Sequence, residues 1–148
     1  MAVEAGLAGR VLPPTPPYDV TRAAVAAFSA AIGAEDRVHF DPEVARAAGH
    51  GDVVAPPTFP IVVAFQAMEA LLADPQAGIE LRHVVHAQQR FVSERAIRAG
   101  DVLTATLTVD SVRQAAGTDL LSTRSGIRTV DGELVCTAYA TLAHRGPA

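Results

Sequence analysis

Two kinds of hydrophobic spacing divide this chain. Between Thr21 and Asp74 the apolar residues recur at helical intervals, and beyond Gly78 they alternate with polar ones. In RAAVAAFSAAIG, Val25, Phe28 and Ile32 share one helical face, with Thr21 placed to cap the start and Gly33 to end it. A short helix is expected over 42–48, with Asp41 as cap, Pro42 in the first turn and Gly49 after the last. The strongest run lies at about 57–73, where Gln66 and Glu69 are the only polar side chains between Phe59 and Leu72. Such a surface predicts a central helix buried nearly all round. Pro56, Pro57 and Pro60 crowd its beginning, and Asp74-Pro75 close its end.

Ahead of these helices, Pro13, Pro14, Pro16 and Pro17 forbid a helix and predict an extended arm over 9–17. Downstream, Leu103, Ala105, Leu107 and Val109 alternate with Thr104, Thr106 and Thr108, and a second alternation runs from Leu134 to Leu142. Segments 84–92 and 120–130 read as two more strands, and Ala99-Gly100-Asp101, Ala116-Gly117 and Asp131-Gly132 mark the turns. The expectation is an antiparallel meander of four strands over about 83–144. A sheet with one apolar face and a helix that is apolar all round both need cover, and one curved sheet wrapped around one helix supplies it. The expected fold class is α+β, the hot-dog architecture, a curved antiparallel sheet around one long buried central helix, in a single domain spanning 1–148.

Composition narrows the function. At 148 residues and 49% hydrophobic, the chain has enough apolar material for one sizeable core. The net charge of -4 argues against nucleic acid or an anionic membrane surface as partner. No stretch is apolar for the roughly 18 residues that a spanning helix needs, and MAVEAGLAGRVLPP lacks a leader's basic and apolar regions, so a cytoplasmic protein is expected. The lone Cys136 excludes an internal disulfide, and no His/Cys spacing fits a metal, so neither metal nor cofactor is expected. All twelve basic residues are Arg, which removes lysine-based covalent chemistry.

The segments GAEDRVHFDPEVARAAGHGDVVAPPTF, VVHAQQRF and RAGDVLTATLTVDSV together resemble the MaoC-like hot-dog family of (R)-3-hydroxyacyl-thioester dehydratases and enoyl hydratases. APPTF and VVHAQQRF look most like its FAS1-like dehydratase N-terminal type, which includes the substrate-binding subunit of heterodimeric (3R)-hydroxyacyl-carrier-protein dehydratases. The resemblance implies an acyl thioester substrate, on carrier protein or CoA, and a homodimer or a heterodimer with a catalytic hot-dog subunit. In catalytic members the motif Gly-Asp-x-Asn-Pro-(aliphatic)-His supplies a carboxylate and an imidazole, and a His-Gly pair at the helix start gives an oxyanion N–H. Here that stretch reads Gly33-Ala34-Glu35-Asp36-Arg37-Val38-His39, so His39 matches, Ala34 stands at the carboxylate position, and Pro56-Pro57 replaces His-Gly.

The candidate catalytic residues are therefore His39 and, displaced by two positions from the motif, Asp36. Pro56, Pro57, Thr58, Phe59 and His86 are the candidate substrate-binding residues. On a regular strand His86, Gln88 and Arg90 share a face opposite Val85, Ala87, Gln89 and Phe91. Three readings stay open: a substrate-binding subunit whose partner supplies the Asp/His pair, a self-sufficient acid/base enzyme of lipid or polyketide-type metabolism using His39, and a thioester-binding protein without a reaction of its own.

Overall fold

A computed structural model describes residues 3–145. The helical period forms α1 (Arg22–Ala31), α2 (Pro42–Ala47) and α3 (Ile61–Leu72). The Thr21 hydroxyl accepts the Ala24 N–H at 3.0 Å, and Asp41 accepts the Glu43 N–H at 2.9 Å, satisfying donors that each helix start leaves open. The helix α3 begins at Ile61 rather than near residue 57. The cause is Pro60: a proline disfavours helical backbone at the residue before it, so 57–60 forms a turn closed by the Phe59 N–H on the Pro56 carbonyl.

Five strands form one antiparallel sheet: β1 (Tyr18–Asp19), β2 (Val84–Ser93), β3 (Val102–Ala115), β4 (Thr118–Thr129) and β5 (Leu134–Arg145). Their order is β1-β3-β4-β5-β2, which corrects the four-strand meander, because β2 pairs with β5 instead of β3. The outer edge of β3 is already taken by the N-terminal arm. Leu12 and Thr15 donate to the Leu107 and Ala105 carbonyls at 2.9 and 3.0 Å, and Tyr18 pairs with Leu103. The arm's four prolines have no N–H, so Thr15 is the only donor between Leu12 and Tyr18. Its hydroxyl also accepts the Ala105 N–H at 2.9 Å, completing the ladder that proline interrupts.

The core lies between α3 and the concave face of the sheet. Val63, Ala67 and Leu71 pack with Leu103, Leu107, Leu121 and Leu142, all buried. Inside this chain, however, α3 is covered on one side only: Phe65, Gln66, Glu69 and Ala70 are exposed, in contrast to the all-round burial expected from its composition. A five-stranded sheet curls around half of a helix, and the other half awaits different cover. Two irregularities matter for the site. Strand β3 shifts register between Val109 and Ser111, and β2 shifts between His86 and Gln88 so that Ala87 is the extra residue.

Candidate functional site

His39 ends a 3-10 turn, Arg37–His39, whose first open donor is satisfied by Asp36: its Oδ1 accepts the Val38 N–H at 3.0 Å. Asp36 thus caps the turn, and it does not line the cavity that His39 lines. Arg37 pairs with Asp41 at 2.9 Å. The His39 ring sits across the chain from Val54, with Nδ1 2.6 Å from the Val54 carbonyl oxygen. A carbonyl only accepts, so Nδ1 carries the proton and, in the neutral ring, Nε2 is the basic nitrogen. The Val54 N–H donates in turn to the Val38 carbonyl at 3.0 Å, so backbone and ring hold each other in place.

A cavity of about 390 Å³ opens beside this histidine. It is lined by His39, by Val54, Ala55, Pro56, Pro57 and Pro60, and by Ser93, Arg95, Ala96 and Ile97 from the end of β2 and the segment after it. Its size suits a small acyl group and its walls are mostly apolar. Pro56 and Pro57 line the same cavity as the histidine. Thr58 is exposed and outside this lining, and Phe59 is fully buried in the core, edge-on to Phe28 at 5.4 Å between ring centres. Of the candidate substrate-binding residues Pro56, Pro57, Thr58 and Phe59, the two prolines line this cavity and the other two do not. The direction changes at the 57–60 turn, which sends Phe59 inward.

Backbone donors along the helix side are accounted for. The Val54 N–H serves Val38, the Ala55 N–H serves the Ile97 carbonyl at 2.7 Å, and Pro56, Pro57 and Pro60 have none. None of the residues that line the helix side of the cavity therefore offers an unspent N–H to a developing oxyanion, while the Thr58 N–H, one position beyond Pro57, has no acceptor among the described residues. The cation in the lining is equally committed. Arg95 makes a bidentate pair with Asp101 at 2.9 and 3.0 Å and reaches Glu133 at 3.1 Å. Hydrogen bonds to these two carboxylates raise the guanidinium pKa further above its ordinary range. Burial pushes the Asp101 carboxyl up, but Arg95 and the Arg98 N–H together outweigh it and hold it below the usual range. What remains for chemistry is the His39 imidazole and the Ser93 hydroxyl in a mostly apolar cleft.

Sequence reasoning missed Ser93, Arg95, Ala96 and Ile97. The charged stretch SERAIRAGD after a strand was the available signal, but its alignment against VAPP depends on the Val54–Arg98 bridge, which no local pattern encodes. Asp52 is taken by Arg22 at 2.9 Å, which with the Val53 N–H draws its carboxyl down to about 2, so it makes no pair with the exposed His50. His86 lines a different, smaller cavity, and the bulge at Ala87 puts it on one face with Gln89, correcting the regular alternation that joined it to Gln88 and Arg90. His144, buried, accepts the Glu80 N–H at 3.0 Å and stands edge-on to His83 at 5.8 Å, a pairing set by tertiary register alone. Among the described residues no group of three His, Cys, Asp or Glu side chains is arranged to hold a metal ion, and no helix is long and apolar enough to cross a membrane.

Residues 7–138 match the family described as the FAS1-like dehydratase domain region. The chain is 45% identical over 148 residues to a UPF0336 protein of Saccharopolyspora erythraea, covering 100% of this chain and 95% of that one. It is 50% identical over 144 residues to UPF0336 protein Lxx02810 of Leifsonia xyli, covering 97% of each. Among solved structures it is similar to the HadBC (3R-hydroxyacyl-ACP dehydratase) complex of Mycobacterium tuberculosis, with TM-score 0.84, 31% identity, and 93% and 96% of the two chains covered. A MaoC-like dehydratase superposes with TM-score 0.85 at 26% identity, over 94% of this chain but 42% of that one.

Proposed function

The chain belongs to the MaoC-like hot-dog dehydratase family, in its FAS1-like dehydratase branch, and on that premise we propose that it is the substrate-binding subunit of a two-chain dehydratase acting on (3R)-hydroxyacyl thioesters. In that reaction a base removes a proton from C2, the C3 hydroxyl leaves as water after taking a proton, and the thioester oxygen carries negative charge in between. Three groups are required: a base, an acid, and a donor to the oxyanion. One observation carries the reading. The cleft beside His39 holds a single imidazole, with Ala34 at the carboxylate position of the motif and a proline wall without an unspent N–H. A partner chain then brings the missing groups, and this chain brings the acyl cleft.

Two features support assembly with a second hot-dog chain. The outer edge of β2 is unpaired among the described residues over ten positions, and the face of α3 that carries Phe65 is exposed beside it. The HadBC relative is a complex, and the MaoC-like dehydratase that this chain matches has more than twice the length needed for one such unit. Either a carrier protein or CoA can deliver the thioester in this reading. The test is turnover of 3-hydroxyacyl thioesters by the purified chain, alone and co-expressed with a hot-dog chain carrying the intact Asp/His motif. Activity only in the pair is expected, and turnover by the chain alone at a hydratase's ordinary rate sinks the proposal.

The His39 geometry keeps a second reading in view, because a ring fixed through Nδ1 presents a basic Nε2 beside the cleft. The assembled pair separates the two. If His39 only lines the cleft, His39→Ala raises KM and lowers kcat by less than about threefold. A kcat loss of about 100-fold or more, the scale of a lost acid/base group, makes His39 catalytic and moves the active site into this chain.

A further inference from the structure

Between α3 and the sheet lies the smaller cavity, about 10 Å³, the room of roughly one oxygen atom or water. Ile61, Ala64, Phe65 and Met68 of the helix form one wall, and His86 and Gln89 of β2 bring polar atoms to the other. Gln89 Nε2 is buried there with no hydrogen-bond partner among the described residues. The buried Thr123 and Ser125 also line this cavity, yet the amide donor has no acceptor among the described residues and is unfavourable until something accepts from it. The amide is also oriented: Gln89 Oε1 lies 2.9 Å from His86 Nε2, which donates to it and so leaves the NH2 as the end available to the cavity.

The bulge at Ala87 builds this arrangement. In an unbroken strand His86 and Gln89 point to opposite faces, and the extra residue brings them to the same one. The larger cavity reaches Pro60, the residue before α3, the smaller one begins at Ile61, the first residue of α3, and Phe65, which lines the smaller one, is 45% exposed in the single chain. In the thioester-binding reading, an acyl chain with its thioester by His39 has to pass Ile61 to reach Gln89.

Resting on the thioester-binding reading above, we propose that Gln89 is a specificity-determining residue whose amide donates to a second oxygen, hydroxyl or oxo, carried on the acyl chain beyond C3, and that His86 positions that amide. The substrate class becomes thioesters of oxygenated acyl chains in preference to plain hydrocarbon ones. The test is calorimetric binding to the full chain of a medium-chain acyl-CoA thioether, compared with the same chain bearing one oxo group moved carbon by carbon from the fifth position outward. At one position the oxo compound binds about three- to tenfold tighter, as one neutral hydrogen bond allows. Gln89→Leu and the isosteric Gln89→Glu both erase that preference. His86→Ala weakens it, His86→Gln restores it by keeping a donor, and Gln88→Ala, on the opposite face, leaves it unchanged. Equal binding of plain and oxo chains overturns the inference, leaves the function standing and makes the cavity a water site. Failure of every chain to bind overturns both.

Discussion

Arg95 and Asp101 show how much of the site is held by charge that never meets substrate. Asp101 is buried, and its carboxylate takes two hydrogen bonds from Arg95 and one from the Arg98 N–H. Asp101→Asn removes the charge that takes two of the Arg95 hydrogen bonds, leaves the guanidinium to Glu133, and is expected to cost about 2 kcal/mol, read as a lowered urea midpoint. The pH dependence has one sign. Asp101 and Asp52 both titrate below their ordinary values, Asp52 at about 2, so each stabilises the fold fully above the unfolded carboxyl range near 4. That contribution is lost as pH falls toward 2, and a urea titration series across this window should show the midpoint dropping with acid. At this scale the sequence was informative where one side chain carries the signal. His39 and Pro57 could be read because a motif fixes their spacing. The fate of Asp36 could not, because a short turn needing a cap competes for the same carboxylate.

Among the elements, the arm shows how proline edges a sheet without weakening it. A strand edge left open is a template for another chain, and residues 9–19 close the β3 edge with a segment that is itself a poor template because four of its positions lack a donor. Thr15 holds the middle of that seam. Thr15→Val keeps the shape but leaves the buried Ala105 N–H without an acceptor, at about 1–2 kcal/mol, and hydrogen exchange at Ala105 should quicken while that at Val135 in the far strand follows global stability. Unchanged protection at Ala105 would show that the hydroxyl contributes nothing. Strand positions, caps and turns were legible from alternation and from Thr21, Asp41, Gly117 and Gly132. Strand order was not, because a proline arm reads as a linker until it is seen to occupy an edge. The bulge at Ala87 was equally silent, since nothing in VVHAQQRF distinguishes a strand with one extra residue from a regular one.

For the whole molecule the consequence is asymmetry: one edge of the sheet is sealed by the arm and the other, β2, is open, with Val85 64% and Val92 39% exposed along it. If that edge seats a second hot-dog chain, Val85→Lys with Val92→Lys should abolish the larger species in sedimentation while circular dichroism and the unfolding midpoint stay close to those of the unsubstituted chain. A larger species that survives the double change places the contact elsewhere. The fold class itself was legible because a switch from helical to alternating period leaves few architectures. The half-open helix was not, because composition states what a residue prefers and not which chain satisfies it. The strand order also dictates a schedule during synthesis. The arm and α3 leave the ribosome before any strand from β2 onward exists, yet the arm's partner, β3, lies some ninety positions on, and β2 must wait for β5. The nascent chain therefore carries its most apolar helix uncovered until β3 and then β4 have emerged, and a pause or truncation before β3 releases a segment that the quality-control machinery of the cell has to shield.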